Sequence, residues 1–208
     1  AEDTANKQNS LAIDGTGAKY TTVDTVSAAL ALKIDKTNLF NSYVAQNPPT
    51  SFTTSSYDSF PLLIKTISNK TLIFYRVGNA HVNNGAVIVM KSSNNGGGNF
   101  SNASTIISES GVDCRNVSGG VTPTGRIVLF FLKYNASTNL SISQGYIYSD
   151  DEGLTFSTYQ TIPSNSHTFF SPYGKLVNIG EGKIMQGWYG ETNTSSYTSY
   201  VIISTDNG

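Results

Sequence analysis

Ten side chains in this 208-residue chain are of types that bind or transform polar ligands, and they fall into four groups. Arg76, His81, Asn83 and Asn84 form the first, Asp113 and Arg115 the second, His167 the third, and Trp188, Tyr189 and Glu191 the fourth. They include two of the three arginines, both histidines and the single tryptophan. Arginine forks grip carboxylates in two-pronged fashion, and aromatic rings stack on sugar faces, so the set suits an acidic or neutral glycan. Asp113 and Glu191 are the candidate carboxylates for glycosidic bond cleavage, although a lone Asp and a lone Glu from different segments are a weak signal of it. The plainer alternative makes Arg76 and Arg115 loop-tying residues and Trp188 a core residue.

The elements that must position these groups are fixed by a repeat. Ser149-Asp150-Asp151-Glu152-Gly153-Leu154-Thr155-Phe156 reads Ser-x-Asp-x-Gly-x-Thr-aromatic. Ser204, Asp206 and Gly208 begin a second copy, and a degraded copy lies at Ser92-Ser93-Asn94-Asn95-Gly96, with Phe100 as its late aromatic. A long fixed period marks a repeat architecture. Each copy follows a short β-type run: Val87 to Met90, Tyr146 to Tyr148, and Val201 to Ile203. A Ser and an Asp two apart can bond the amides of a tight turn, and Gly153 suits a positive φ. The motif therefore reads as a hairpin staple with no chemistry of its own.

Around the staples the chain divides into three units of antiparallel strands. The first has strands at Pro61–Ile64, Thr71–Tyr75, Gly85–Lys91 and Ser104–Ile107. The second has Asn116–Val121, Arg126–Phe131, Gly145–Tyr148 and Ser157–Ile162; the third has Lys175–Ile179, Lys183–Tyr189 and Tyr200–Ser204. Four-stranded units in series are propeller blades, and known rings use about four to eight of them. Three would leave open strand edges, so the polypeptide is expected to continue past Gly208. Blade topology puts the staples on one face and gathers the ten ligand-type residues on the other.

Ser149, Asp151, Gly153, Thr155 and Phe156 resemble, position for position, the Asp-box of sialidase-like β-propellers, with Phe156 where that family usually has Trp. The resemblance covers roughly residues 51–208 and implies a ring of about six blades. Gly119-Gly120-Val121-Thr122-Pro123-Thr124-Gly125-Arg126 likewise resembles the second-blade hairpin of phage-associated members, and its Pro and Gly mark a turn. Sialidases carry a Phe/Tyr-Arg-Ile-Pro motif at the start of the first blade, which supplies an arginine of a carboxylate-binding triad. Here the matching stretch is Asp58-Ser59-Phe60-Pro61, with Ser59 in the arginine's place. The family's acid Asp follows the second strand, where residues 76–84 offer His81 and Asn83 and no carboxylate. These two departures weigh against sialidase chemistry.

Residues 1–50 differ from the rest. Asp14-Gly15-Thr16-Gly17 is a turn, Thr21 and Asp24 suggest a helix start, and Val23, Val26, Leu30 and Ile34 form one apolar helical stripe. A helix this short is marginal alone and is expected to pack on copies of itself. Asn47-Pro48-Pro49-Thr50 reads as a stiff linker. The stretch from Lys7 to Thr37 resembles the connector segments of bacteriophage tail-fibre and tail-spike proteins, which are usually trimeric. The expected organisation is thus a helical connector over 1–50 and an incomplete, all-β propeller over 51–208.

Composition narrows the partners. Only 13% of residues are charged and the formal net charge is −1, which disfavours nucleic acid. The longest apolar run, Ile127 to Leu132, is far too short to span a membrane. The first ten residues do not read as a signal peptide, and the chain opens on Ala1, as a processed or excerpted polypeptide would. A single cysteine, Cys114, excludes an internal disulfide and reads as a small buried residue. No cofactor or metal site is expected. The resulting expectation is a virion tail protein, homotrimeric and joined to other tail proteins, whose propeller binds host surface glycan. Two alternatives remain: a glycan-degrading enzyme on the same scaffold, and a purely structural tail propeller.

Overall fold

The computed structural model describes residues 57–164, 167–192, 196–206 and 208; the expected helical connector lies outside them. Eleven strands follow one another: β1 (Tyr57–Lys65), β2 (Thr71–Gly78), β3 (Val87–Ser93), β4 (Ser104–Ile107), β5 (Asp113–Val121), β6 (Ile127–Asn135), β7 (Leu140–Ser149), β8 (Gln160–Ile162), β9 (Phe169–Gly180), β10 (Lys183–Glu191) and β11 (Tyr197–Ser204). Blade 1 is the sheet β1-β2-β3-β4, and a second sheet runs β11-β10-β9-β5-β6-β7-β8. Within the latter, β5 to β8 form blade 2 and β9 to β11 form blade 3. All pairings within blades are antiparallel; β5 and β9, the innermost strands, meet in parallel at Gly119 and Lys175. This is the sialidase-like propeller arrangement anticipated from the repeat.

Most strands extend further toward the site face than their apolar patterns indicated. β5 begins at Asp113, β6 ends at Asn135, β9 begins at Phe169 and β10 ends at Glu191. Asp113 and Arg115 therefore sit on a strand and not in an inter-blade loop, because backbone pairing to β6 carries on past the apolar run. In blades 1 and 2 the innermost strand also bulges near this end, at Phe60 (φ 54°) and at Asn116 (φ 57°). Bulges re-aim the neighbouring side chains.

Two apolar layers glue the blades. Leu62, Ile64, Leu72, Phe74 and Ile88 of blade 1 meet Val117, Ile127, Leu129, Phe131 and Ile147 of blade 2. Val128 and Phe130 of blade 2 meet Phe170 and Trp188 of blade 3. Full burial of one such side chain is worth about 1.5–3 kcal/mol. Cys114 lies in the first layer, where burial pushes its thiol pKa up to about 11. Close approach of β5 and β6 within blade 2 needs glycine at 119, where φ is 132° and a Cβ would lie 2.0 Å from the Val128 carbonyl oxygen.

The staples are built as expected. The Ser149 hydroxyl accepts from the Gly153 amide at 2.8 Å and donates to Asp151 at 2.7 Å. Asp151 in turn accepts from the Thr155 amide at 2.9 Å and from its hydroxyl. Those donors hold the Asp151 carboxyl down at about 2, against an ordinary 3.8. Ser204, Asp206 and Gly208 repeat the geometry. The degraded copy starts one residue later than the sequence suggested. Ser93, Asn95 and Gly97 make the matching bonds, so the staples recur 56 and 55 residues apart.

The staples of blades 2 and 3 also clasp the preceding blade. Phe156 meets Phe74 edge-on at 6.3 Å, and Gly153 abuts Leu72 and Met90. Glu152 accepts bonds from the amide and hydroxyl of Ser68 in the blade 1 turn, which lowers its pKa. Arg126 forks onto Asp150 at 2.7 and 3.0 Å, lies 4.1 Å over the Tyr148 ring, and donates to the Gly208 carbonyl.

Candidate functional site

At the end opposite the staples, the charged residues collapse into a buried network. Arg76, on β2, donates from Nε to one Asp113 oxygen at 2.7 Å and from NH2 to the other at 3.1 Å. Its third nitrogen, NH1, reaches the Ala80 carbonyl at 2.9 Å. Arg115 NH1 stands 3.5 Å from Asp113, and the Asn83 amide donates to Asp113 at 3.0 Å. Arg76 and Asp113 are 0% exposed. Gly78 makes this possible, since a Cβ there would lie 2.9 Å from the Arg76 guanidinium.

Four donor atoms surround Asp113: Arg76 Nε and NH2, Arg115 NH1 and the Asn83 amide. Its role is to join β2 of blade 1 to β5 of blade 2. Two guanidiniums face one carboxylate, so the cluster keeps one excess positive charge on Arg115. Burial lowers the Arg115 pKa, with Asp113 opposing that shift and Arg76 adding to it. An arginine nonetheless stays charged in any ordinary pH range.

Arg115 is the cluster's outlet toward the face. Its guanidinium lies 5.3 Å from the Phe60 ring centre and 5.4 Å from that of Tyr134, both within cation–π range. Its NH2 approaches His81 Nε2 at 3.4 Å. Arginine only donates, so Nε2 accepts, and Nδ1 carries the proton toward the Tyr57 hydroxyl at 3.3 Å. Ser59, in the place of the sialidase arginine, pairs in register with Arg76, and its hydroxyl is buried without a hydrogen-bond partner.

Beyond Arg115 runs a band of rings. Tyr134 meets Phe169 at 6.4 Å, Phe169 meets Tyr189 at 5.5 Å, and Tyr189 meets Tyr173 at 6.2 Å. An open cleft of ≈ 520 Å³ lies among Tyr134, Phe169, Tyr189 and Tyr197, with Glu191, Thr168 and Asn139 at its walls. Tyr197 donates to Glu191 at 3.3 Å, and that carboxylate raises the Tyr197 pKa. A second cleft of ≈ 410 Å³ lies where the three innermost strands converge, lined by Phe60, Asn116, Tyr173, Lys175 and, again, Tyr189.

The residues singled out from the sequence thus separate. Arg115, Tyr189 and Glu191 come together at the aromatic band, with His81 at its margin. Arg76 and Asp113 lie beneath it. Asn83 and Asn84 brace loops: Asn83 accepts from the Asn79 amide, and Asn84 bonds Ala136 and Ser137 of the next blade. His167 is held between the Ser164 carbonyl at 2.5 Å and the Tyr200 hydroxyl at 2.6 Å, stacked on Phe170. Trp188 is 2% exposed, stacked on Phe170 at 4.8 Å, in the core between blades 2 and 3. Sequence reasoning passed over Phe60, Tyr134, Phe169, Tyr173 and Tyr197. The available signal was tyrosine or phenylalanine at the site-face end of β1, β6, β9, β10 and β11. Among the described residues no three His, Cys, Asp or Glu side chains are placed to share a metal ion.

No protein-family model matches the chain, and no curated protein is similar to it in sequence. Solved structures do match the fold. The Hadza microbial sialidase Hz136 superposes with a TM-score of 0.64 at 17% identity, covering 73% of this chain and 36% of that one. The Trypanosoma rangeli sialidase, in complex with sialic acid, gives 0.59 at 11% identity, covering 73% and 29%. The Penicillium chrysogenum α-L-arabinanase, complexed with arabinobiose, gives 0.55 at 11% identity, covering 70% and 46%. The chain spans less than half the length of each of these three proteins.

Proposed function

We propose that the propeller binds carbohydrate at the aromatic band, and that it does so as the host-attachment part of a virion tail fibre or spike. The observation that carries the binding function is the cluster of rings from Tyr134 to Tyr173, which meet one another at 79°, 49° and 83° beside an open cleft flanked by Glu191. Rings supply apolar stacking area, while Glu191, Asn139 and Thr168 supply acceptors and donors for hydroxyls. That mixture of apolar walls and a few placed polar groups is what small-ligand sites present. Two of the structural neighbours were solved with a sugar, one acidic and one neutral. The tail setting rests on the resemblance of the N-terminal segment to trimeric tail connectors, with other tail proteins and host surface glycan as partners. Glycan-array binding and pull-down of bacterial cells by the full-length protein test it. Binding that is lost in Tyr134→Ala with the fold intact is the expected result; no glycan or cell bound at all would refute it.

A hydrolytic reading has one observation in its favour, the carboxylate of Glu191 inside the larger cleft. It would serve as acid or base, and reducing sugar released by the protein but not by Glu191→Gln would establish it. Two features oppose it. Asp113, the other carboxylate, is sealed in the ion network. The Tyr197 beside Glu191 has a raised pKa, the reverse of what a nucleophilic tyrosinate needs.

A further inference from the structure

Asparagine followed by glycine is a reactive pair, because the glycine amide nitrogen, unhindered by a side chain, can attack the asparagine side-chain carbonyl. Two such pairs lie wholly among the described residues, Asn84-Gly85 and Asn95-Gly96. Their surroundings are opposite. Asn84 is tied at both ends of its amide: Oδ1 accepts from the Ala136 amide at 2.7 Å, and Nδ2 donates to the Ser137 hydroxyl at 3.0 Å. The Gly85 amide, the nucleophile of that pair, is engaged by the Val112 carbonyl at 2.8 Å.

Asn95 stands where the other two staples have aspartate, Asp151 and Asp206. Its Oδ1 accepts from the Ser93 hydroxyl at 2.7 Å and from the Asn99 amide at 2.9 Å. Asp151 accepts from the Ser149 hydroxyl and the Thr155 amide at the same two distances. The Asn95 and Gly97 amides close on the Ser93 hydroxyl at 3.3 and 3.0 Å, as those of Asp151 and Gly153 close on Ser149 at 3.4 and 2.8 Å. The staple of blade 1 is thus a carboxylate cradle that holds an amide. Blade 2 shows what such a turn leaves open with the preceding blade alongside it. The hydrogen bonds to the Asp151 carboxylate come from its own turn, from Ser149 and Thr155. Among the described residues nothing accepts from the amide of Glu152, whose place Gly96 fills.

We propose that Asn95 is a self-modification site, which the folded chain converts to aspartate, completing the staple of blade 1. In the first step the Gly96 amide nitrogen bonds to the Asn95 side-chain carbon, the bond from that carbon to Nδ2 breaks, and ammonia leaves a cyclic imide behind. In the second step water adds to the same carbon, its bond to the Gly96 nitrogen breaks, and the peptide N–H is restored. One water is consumed and one ammonium released for each carboxylate formed. Both attacks push negative charge onto Oδ1, where the Ser93 hydroxyl and the Asn99 amide already point, and donors aimed at a developing oxyanion lower the barrier. They also direct the water to the side-chain carbonyl. Opening at the main-chain carbonyl would instead give isoaspartate and route the backbone through the side chain. The finished carboxylate keeps both donors, now in stronger, charge-assisted bonds.

Peptide mapping by mass spectrometry, resolving asparagine, aspartate and isoaspartate, tests this on the full chain held at mildly alkaline pH, folded and in urea. In the folded chain Asn95 should turn to aspartate while Asn84 persists. In urea both pairs should convert alike, with isoaspartate among the products. Ser93→Ala should slow the folded reaction about tenfold or more and raise the share of isoaspartate. Gly96→Glu should stop the reaction with the fold intact, because φ is 70° at Gly96 and 57° at Glu152, which carries a side chain in the same place. The proposal is overturned if Asn84 reacts as fast as Asn95 in the folded chain, if folded Asn95 stays unchanged or gives mainly isoaspartate, or if Ser93→Ala reacts at the original rate. None of these results bears on the carbohydrate-binding reading.

Discussion

Asp113→Asn should cost about 3–5 kcal/mol of folding stability, the range for removing one partner of a buried ion pair. The figure follows from what is left behind. Arg76 is 0% exposed and directs two nitrogens at Asp113, so neutralising the carboxylate strands its charge out of reach of water. Arg115 loses its only carboxylate as well. Asparagine keeps the shape and one acceptor, so no cavity arises to confuse the result. A domain of this size holds about 5–15 kcal/mol in total, so the variant forfeits about a fifth of it or more. At about 2–4 °C per kcal/mol, its melting temperature should drop by roughly 6–20 °C. Arg76→Met should cost less, because Asp113 keeps Arg115 and the Asn83 amide. Urea unfolding followed by circular dichroism reads all of this. Should Asp113→Asn lose under about 1 kcal/mol, or Arg76→Met prove the worse of the two, the network would not be the joint between blades 1 and 2. If instead it kept full stability and lost sugar binding, Asp113 would belong to the ligand site after all.

Two further outcomes follow from the staple face and the close pairing of β5 with β6 in blade 2. Asp150, Asp151, Glu152 and Asp206 all have lowered pKa values in the folded chain, with Asp151 at about 2. A lowered folded value contributes stability that is present above the ordinary pKa and lost as pH falls through the folded one. The urea midpoint should therefore be flat near neutrality and fall between about pH 4 and pH 2, and Asp151→Asn should flatten that decline. Gly119→Ala, which would drive a Cβ to 2.0 Å from the Val128 carbonyl at a φ of 132°, should cost about 3 kcal/mol or more in the same assay. A loss below about 1 kcal/mol would show that blade 2 tolerates a shift there.

The fold was largely readable because its signals are local. Each strand core is a short apolar alternation ended by turn residues, and each staple uses side chains within a few residues of the amides they cap. Eleven strand cores and the sidedness of the staples follow from that alone. The one slip in the repeat, Ser92 for Ser93, arose where paired serines and paired asparagines make the motif degenerate. What resolves it is a bond from the Gly97 amide back to the Ser93 hydroxyl, a geometric fact that composition does not encode. The strand ends were misjudged for a related reason. Asp113 to Arg115 and Tyr189 to Glu191 break the apolar pattern, yet backbone pairing continues through them.

The site was less readable, because residue type there does not decide role. Arg76 and Asp113 are 37 positions apart, and nothing local says that they pair. Their pairing makes sense only from how the blades join. Blades 2 and 3 share a sheet contact at Gly119 and Lys175, supported by Gln186 donating to Ser118 and Asn116 to Ser171. Blades 1 and 2 are separate sheets among the described residues, joined by two backbone bonds, from the Gly85 amide to the Val112 carbonyl at 2.8 Å and from the Cys114 amide to the Ala86 carbonyl at 3.1 Å. The apolar packing between them is non-directional and adds no register of its own. A two-pronged arginine–carboxylate pair is directional and reinforces the register that those backbone bonds set. The same strand ends then carry Phe60, Tyr134, Phe169 and Tyr189 outward above the pair. The most charged residues on this face are thus consumed in holding it together, and the ring faces they support are left to meet the ligand.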